Sequence, residues 1–419
     1  MSILFVLPEF PKYSETFVID QIVGLLDRGF DVRILAISRG PAPAPGDVVA
    51  TRGLMDRATF IFDHAASASA GWQILLQRLR QVLPGLPRVR VRRALSVRRY
   101  GHAAKTLALA GAARRLSRPL KADAIIAHFG PTGVLAANLR ALGLLEGPIF
   151  TVFHGYDLSQ HSVLARHAGD YQRLFATGER MLPISTSWAK KLEALGCAPD
   201  KIQVHRMGVD TDSFHFEPPV AAAAMQERTL RVVTVARLVE KKGVLYLCEA
   251  VARLAQRHIR VELEVIGDGP LQTELERFVA EHVLGTRVFI RGRRDKAYVQ
   301  AALRRADVFA LPSVTAADGD QEGIPVSLME AMASGVPCLS TVHSGIPELI
   351  EDGRSGWLVP ERDAEALADK LARIQHGDYD VSAIARCARN TVETHFNQGR
   401  LHDQLAAQLT AEEAIHALR

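Results

Sequence analysis

The feature that most constrains this chain is a grammar written twice: short, almost continuous apolar runs alternating with longer amphipathic stretches. In the first half Ile3 to Leu7, Val32 to Ile37, Ala124 to Ala127, Ile149 to Phe153 and Leu182 to Ser185 are such runs, each followed by turn or polar residues. The second half restarts at Val232 to Ala236 and continues with Val261 to Ile266, Val288 to Arg291, Val308 to Leu311, Pro337 to Ser340 and Trp357 to Val359. Runs without a polar face are what strands covered on both sides of a parallel sheet look like, and strand–helix alternation predicts a doubly wound α/β sheet with ligands at the strands' carboxyl ends. A chain of 419 residues exceeds what one core supports, so two such domains are expected.

The break between them reads as Val204 to Phe214, polar and turn-rich, followed by Pro218-Pro219 and an alanine run. This sets a first domain over 1–210 and a second over 216–395. Leucine and alanine at helical spacing form a final helix over 400–419. Thr16 is placed to cap a helix from Phe17 to about Arg28, with Gly29 ending it.

Composition excludes several classes. Hydrophobic residues at 48% and charged residues at 23% describe a folded globular chain. The cysteines, Cys197, Cys248, Cys338 and Cys387, form no Cys-x-x-Cys pair, which argues against a disulfide framework or zinc site and for a reduced, cytoplasmic setting. No apolar run reaches eighteen residues, and the start reads as a buried strand and not as a signal peptide. Between Asp63 and Asp123 stand thirteen basic residues and no acid, interleaved with Leu75, Leu76, Leu79, Val82, Leu83, Leu86, Val89 and Leu95. That pattern suits an anionic membrane surface; the plainer reading is a solvated helical hairpin, and nucleic acid fits least because no nucleic-acid motif accompanies the charge.

Chemistry concentrates in a few places. In Glu322-Gly323-Ile324-Pro325-Val326-Ser327-Leu328-Met329-Glu330, Pro325 suits a helix's first turn, with Glu322 just before it and Glu330 about two turns along. Amides near Val326 and Ser327 would meet an anion at the helix mouth. Arg237 at a strand end, with Lys242 five residues on, pairs a guanidinium fork with a point charge suited to a diphosphate. His154-Gly155-Tyr156-Asp157 puts an imidazole at the sheet's ligand edge, with Asp157 close enough to orient it. The loop Phe10 to Thr16, containing Ser14 and Glu15, offers amides at the first helix. Gly267-Asp268-Gly269-Pro270 is a tight turn into a helix.

Taken together, Glu322 with Glu330 (a Glu-x7-Glu), Arg237 with Lys242, Ile266 to Pro270 and His154 to Asp157 resemble glycosyltransferase family 4, the retaining transferases of GT-B fold. Pro11-Lys12-Tyr13-Ser14-Glu15-Thr16-Phe17 departs from the Gly-Gly loop of many members. With Asp318-Gly319-Asp320-Gln321-Glu322-Gly323-Ile324-Pro325 it is similar to the branch that builds colanic acid and related bacterial exopolysaccharides.

The resemblance implies two Rossmann-like domains facing across a cleft, the donor on the second, the acceptor on the first and the last helix crossing back. Arg237 and Lys242 would neutralise the diphosphate. Glu330 would hold the ribose, and Glu322 with the backbone of Gly323, Ile324, Pro325 and Val326 the donor sugar. His154 would sit near the transferred sugar, with Ser14, Glu15 and Asp157 on the acceptor side. Glu322 and Lys242 are expected to lie exposed, so that removing either leaves the fold intact. The implied partners are a nucleotide-diphosphate sugar and a saccharide or lipid-linked acceptor at the inner membrane face, without cofactor, metal or nucleic acid; Asp318-Gly319-Asp320 has a metal-binding spacing but lacks further oxygen ligands. Retention through front-face attack fits better than double displacement, since no dedicated nucleophile stands out. A nucleotide-sugar epimerase and an inactive scaffold of a polysaccharide assembly are the competing readings.

Overall fold

A computed structural model describes residues 1–63, 71–217 and 228–417. It divides into two compact units: Met1–Ile184 with Trp188–His205 and the chain from His402 onward, and Ser185–Ser187 with Arg206–Leu401.

In the first unit, β1 (Ser2–Phe10), β2 (Asp31–Arg39), β3 (Ala58–Phe60), β4 (Ala124–His128), β5 (Ile149–Phe153) and β6 (Arg180–Pro183) form one sheet in the order β3-β2-β1-β4-β5-β6. Every pairing in it is parallel. All five residues of β4 and of β5 are buried, which is why those runs carry no polar alternation. The expected last strand, Leu182 to Ser185, sits two residues earlier, and β3 was not anticipated although Ala58 to Phe62 is apolar. Helix α1 covers Thr16–Asp27: Thr16 is its first residue and not its cap, and Glu15 occupies the cap position without a side-chain capping bond.

The second unit repeats the topology. Strands β7 (Leu230–Val235), β8 (Val261–Ile266), β9 (Val288–Ile290), β10 (Val308–Leu311), β11 (Cys338–Thr341) and β12 (Trp357–Val359) lie in the order β9-β8-β7-β10-β11-β12, again all parallel. In each sheet the order reverses beside the first strand, the switch point at which two strand ends open a crevice.

The expected linker is not free chain. Val209 and Phe214 are buried in the core of the second unit, and Thr211–Ser213 is a 3-10 turn. Pro218-Pro219 and the alanine run lie outside the described residues.

The basic region is no hairpin but a run of four helices: α2 (Gly71–Val82), α3 (Val89–Ala94), α4 (Val97–Lys105) and α5 (Ala108–Arg115). Val82 is buried, and Leu86 and Leu95 pack against the core, whereas Trp72, Leu75, Leu76, Leu79, Leu83 and Val89 are exposed. Arg78 also turns inward, over the Phe62 ring and onto the Thr106 carbonyl. Helix α6 (Val326–Ala333) ends at Gly335, whose φ of +86° L side chains avoid. Helix α7 (Gln398–Ala417) ties to the rest of the first unit through Asp403 to Arg28 and Glu412 to Arg180. No helix among the described residues is long and apolar enough to cross a membrane.

Candidate functional site

In the second unit, the loops after β7 and β10 meet at the switch point. Val314 N–H donates to the Lys241 carbonyl (2.9 Å), and Ala317 N–H to the Glu240 carboxylate (3.0 Å). The loop after β8 supports them from the other side. Leu238 N–H donates to the Asp268 carbonyl (2.8 Å), and Gly267, at φ +138°, leaves no room for a side chain: a Cβ there would lie 1.8 Å from the Ala236 carbonyl oxygen. Gly267-Asp268-Gly269 is therefore a backbone support for the Arg237 segment. The Arg237 side chain is exposed, with no hydrogen bond or ion pair among the described residues, while its carbonyl accepts Val239 N–H (2.9 Å).

Lys242 and Glu322, eighty residues apart, form the centre of the cluster in the second unit. Lys242 Nζ lies 2.9 Å from Glu322 Oε2, while Lys241 Nζ lies 3.7 Å from Glu322 Oε1 and 3.1 Å from Asp320 Oδ1. This corrects the expectation of exposed groups: Glu322 is 7% exposed, and all three side chains of the cluster are largely buried. Burial pushes the Glu322 carboxyl up, but the charges of Lys242 and Lys241 and the Lys242 hydrogen bond outweigh it, and the group sits below its ordinary value. Asp320, half of the Asp-x-Asp spacing, is paired with Lys241.

The Glu322 backbone is held as firmly. Its N–H donates to His343 Nε2 (3.1 Å), so the proton of a neutral His343 is on Nδ1, which donates to Glu361 (2.6 Å); Glu361 also accepts Thr315 N–H (2.8 Å). Gly323, Ile324 and Pro325 are buried, and Val326 is half-buried. Pro325 caps α6 from outside, with extended backbone, one position earlier than expected. Glu330 is half-buried on the body of α6.

In the first unit, His154 follows β5. Asp157 does not orient its imidazole; its carboxylate accepts backbone N–H groups from Gly155 (2.8 Å), Gly130 (2.9 Å) and His154 (3.1 Å), which clamps two strand-end loops together. Full burial pushes the Asp157 carboxyl up to about 6 against the downward pull of those amides. The imidazole instead bonds His128 at the end of β4, Nε2 to Nδ1 at 2.9 Å, and packs against the rings of Phe17 and Phe129. Ser14 is exposed, and Glu15 pairs with Lys12.

Sequence reasoning missed Lys241, His128, His343 and Glu361. The signal for both histidines was present: each stands at the carboxyl end of a parallel strand, as His154 does.

Comparisons with known proteins agree with this architecture. The sequence model described as Glycosyltransferase Family 4 matches residues 14–213, and that described as Glycosyl transferases group 1 matches residues 229–376. The chain is 44% identical to the putative colanic acid biosynthesis glycosyltransferase WcaL of Salmonella typhimurium, over 98% of this chain and 99% of that protein. It is 41% identical to the amylovoran biosynthesis glycosyltransferase AmsK of Erwinia amylovora, over 97% and 98%. Among solved structures, HepE of Anabaena in complex with UDP and glucose matches with a TM-score of 0.70 at 18% identity, covering 98% of this chain and 99% of that one. With two parallel sheets of the same strand order, matches in both halves and near-complete alignment to these relatives, the chain belongs to glycosyltransferase family 4 and is a glycosyltransferase of GT-B fold.

Proposed function

We propose that this protein moves a hexosyl unit, with retention, from a nucleoside-diphosphate sugar to a saccharide acceptor of a bacterial exopolysaccharide. The observation that carries this reading is the Lys242–Glu322–Lys241 cluster at the switch point of the second unit, with Arg237 exposed on the same loop as the two lysines. Breaking a sugar–phosphate bond builds charge on the leaving diphosphate, and preorganised cations facing that charge are where an enzyme gains most rate. In this reading Arg237 and Lys242 hold the diphosphate, and Glu330 holds the ribose. Glu322 and the Gly323–Val326 backbone hold the sugar, while His154 acts beside the transferred sugar. The named relatives support the exopolysaccharide assignment, and the UDP and glucose bound by HepE support the donor class.

Transfer requires no divalent metal in this proposal, because lysine and arginine supply the positive charge. Activity therefore survives a chelator; a strict requirement for added metal would direct attention back to Asp318 and Asp320. A thermal-shift screen over UDP-, GDP- and ADP-sugars tests the donor. Stabilisation by one of them supports the assignment, and stabilisation by none overturns it.

The acceptor is lipid-linked in the same proposal, and α2 supports it. Trp72, Leu75, Leu76, Leu79 and, just past the helix, Leu83 recur at helical spacing and are exposed, as are Arg88, Arg90, Arg92 and Arg93 in the segment that follows. Such a face suits a headgroup layer, and each basic residue near an anionic surface adds roughly 1 kcal/mol. Flotation with anionic vesicles should recover the protein, and uncharged vesicles should not. Equal recovery from both, or no loss on neutralising those four arginines, would refute membrane attachment by this face.

A further inference from the structure

Four side chains of the first unit form one unbroken line of hydrogen bonds. His154 Nε2 meets His128 Nδ1 (2.9 Å), His128 Nε2 meets Gln21 Oε1 (3.0 Å), and Gln21 Nε2 meets His205 Nε2 (3.0 Å). Gln21 lies on α1 and is 1% exposed, His128 is fully buried, and His205 is 4% exposed. The rings cannot turn freely. His128 stacks on Phe5, His154 packs against Phe17 and Phe129, and the missing side chain of Gly24, one turn beyond Gln21, makes room for His402, since a Cβ there would lie 1.9 Å from His402 Nδ1.

A neutral imidazole has one N–H and one lone pair, so a ring bonded at both nitrogens must donate at one and accept at the other. Gln21 breaks the symmetry, because Oε1 can only accept and Nε2 only donate. Oε1 therefore accepts a hydrogen bond from His128 Nε2–H. His128 Nδ1 is left with a lone pair, which must be met by His154 Nε2–H. His154 Nδ1, which has no partner among the described residues, then also carries a lone pair. On the other side, Gln21 Nε2 donates to His205, whose proton is on Nδ1. Burial keeps the rings neutral, pushing His128 down to about 3, His205 to about 4 and His154 well below its ordinary value.

We propose that Gln21, acting through His128, is a positioning residue that sets His154 as the Nε2–H tautomer, so that its Nδ1 accepts a hydrogen bond from a sugar hydroxyl. The sugar contact rests on the role given to His154 above; the tautomer does not. If the amide were reversed, every proton in the line would shift, and His154 Nδ1–H would donate to the hydroxyl oxygen instead of accepting its hydrogen. The line thus decides whether the ring accepts from that hydroxyl or donates to it.

The test is long-range proton–nitrogen NMR on the full chain with ¹⁵N-labelled histidine, for the wild type, Gln21→Glu and Gln21→Met. The wild type is expected to show Nε2–H at His128 and His154, and Nδ1–H at His205. A carboxylate accepts on both sides, so Gln21→Glu should keep His128 and His154 unchanged while His205 gains an Nε2 proton, and transfer should survive. Gln21→Met should scramble the His128 and His154 tautomers and slow transfer by about tenfold, the worth of one hydrogen bond. His154 as Nδ1–H in the wild type, or wild-type tautomers in Gln21→Met, would overturn the proposal. Expected tautomers combined with full activity in His154→Ala would instead refute the sugar contact and leave tautomer control standing.

Discussion

Replacing Lys242 with methionine should cost this enzyme stability as well as turnover, and the size of the loss follows from the cluster around Glu322. Two unit charges 3–4 Å apart attract by about 4–6 kcal/mol at an effective dielectric of about 20, and burial of both groups consumes much of that. Removing one partner of a buried pair typically costs about 3–5 kcal/mol because the other charge is stranded. Here Lys241 remains 3.7 Å from the same carboxylate, so the expected cost is nearer about 2 kcal/mol. For a unit of this size that lowers the melting temperature by about 4–8 °C. The pH dependence has a definite sign. The Glu322 carboxyl is depressed in the fold, so its contribution is present above the unfolded value of about 4.3 and is lost as pH falls through the depressed one. Melting curves of the wild type, Lys242→Met, Glu322→Gln and the double variant, at pH 7.5 and at pH 4 and below, complete the cycle. The gap between wild type and Lys242→Met should narrow in acid, and the double variant should lose about 1 kcal/mol less than the two singles combined. Strict additivity, or a shift under 1 °C for Lys242→Met, would refute the reasoning. In the proposed reaction Glu322→Gln should also slow transfer by roughly a hundredfold to a thousandfold.

Arg237→Ala should leave the melting temperature unchanged, since the side chain is exposed, while weakening nucleoside-diphosphate binding in a titration; a destabilised variant would mean that it serves the fold. Gly267→Ala puts a methyl group 1.8 Å from the Ala236 carbonyl at a φ of +138°, so a loss of at least about 3 kcal/mol is expected, and an unchanged melting temperature would contradict the close approach. Asp157 is protonated more readily in the fold than out of it. Its contribution is full below about pH 4 and fades as pH rises through about 6, so Asp157→Asn should lack that slope in melts across pH 4–7. Parallel slopes for variant and wild type would show that Asp157 is not the group responsible.

The alternation of apolar runs determined most of this protein by itself. A strand covered on both faces is nearly all apolar, so β4, β5 and β10 were legible to within a residue, as were the short β12 and, despite its exposed Glu262, β8. Ligands of such sheets bind at the loops that follow parallel strands, which is why Arg237, Lys242, Glu322 and His154 could be picked out as candidates from local context. The short β3 escaped because three residues carry too little periodicity, and the presumed linker hid two core residues, Val209 and Phe214, among polar neighbours. What only the tertiary structure decided is partnership. Lys242 meets Glu322 across eighty positions, His343 carries the Glu322 backbone to Glu361, Asp157 holds amides and not an imidazole, and Gln21 joins three histidines from distant parts of the chain. Spacing reports which residues share a strand or a helix face. Which charge finds which partner depends on how strand ends converge at the switch point, and whether a group is stabilised there depends on burial, which no local pattern records.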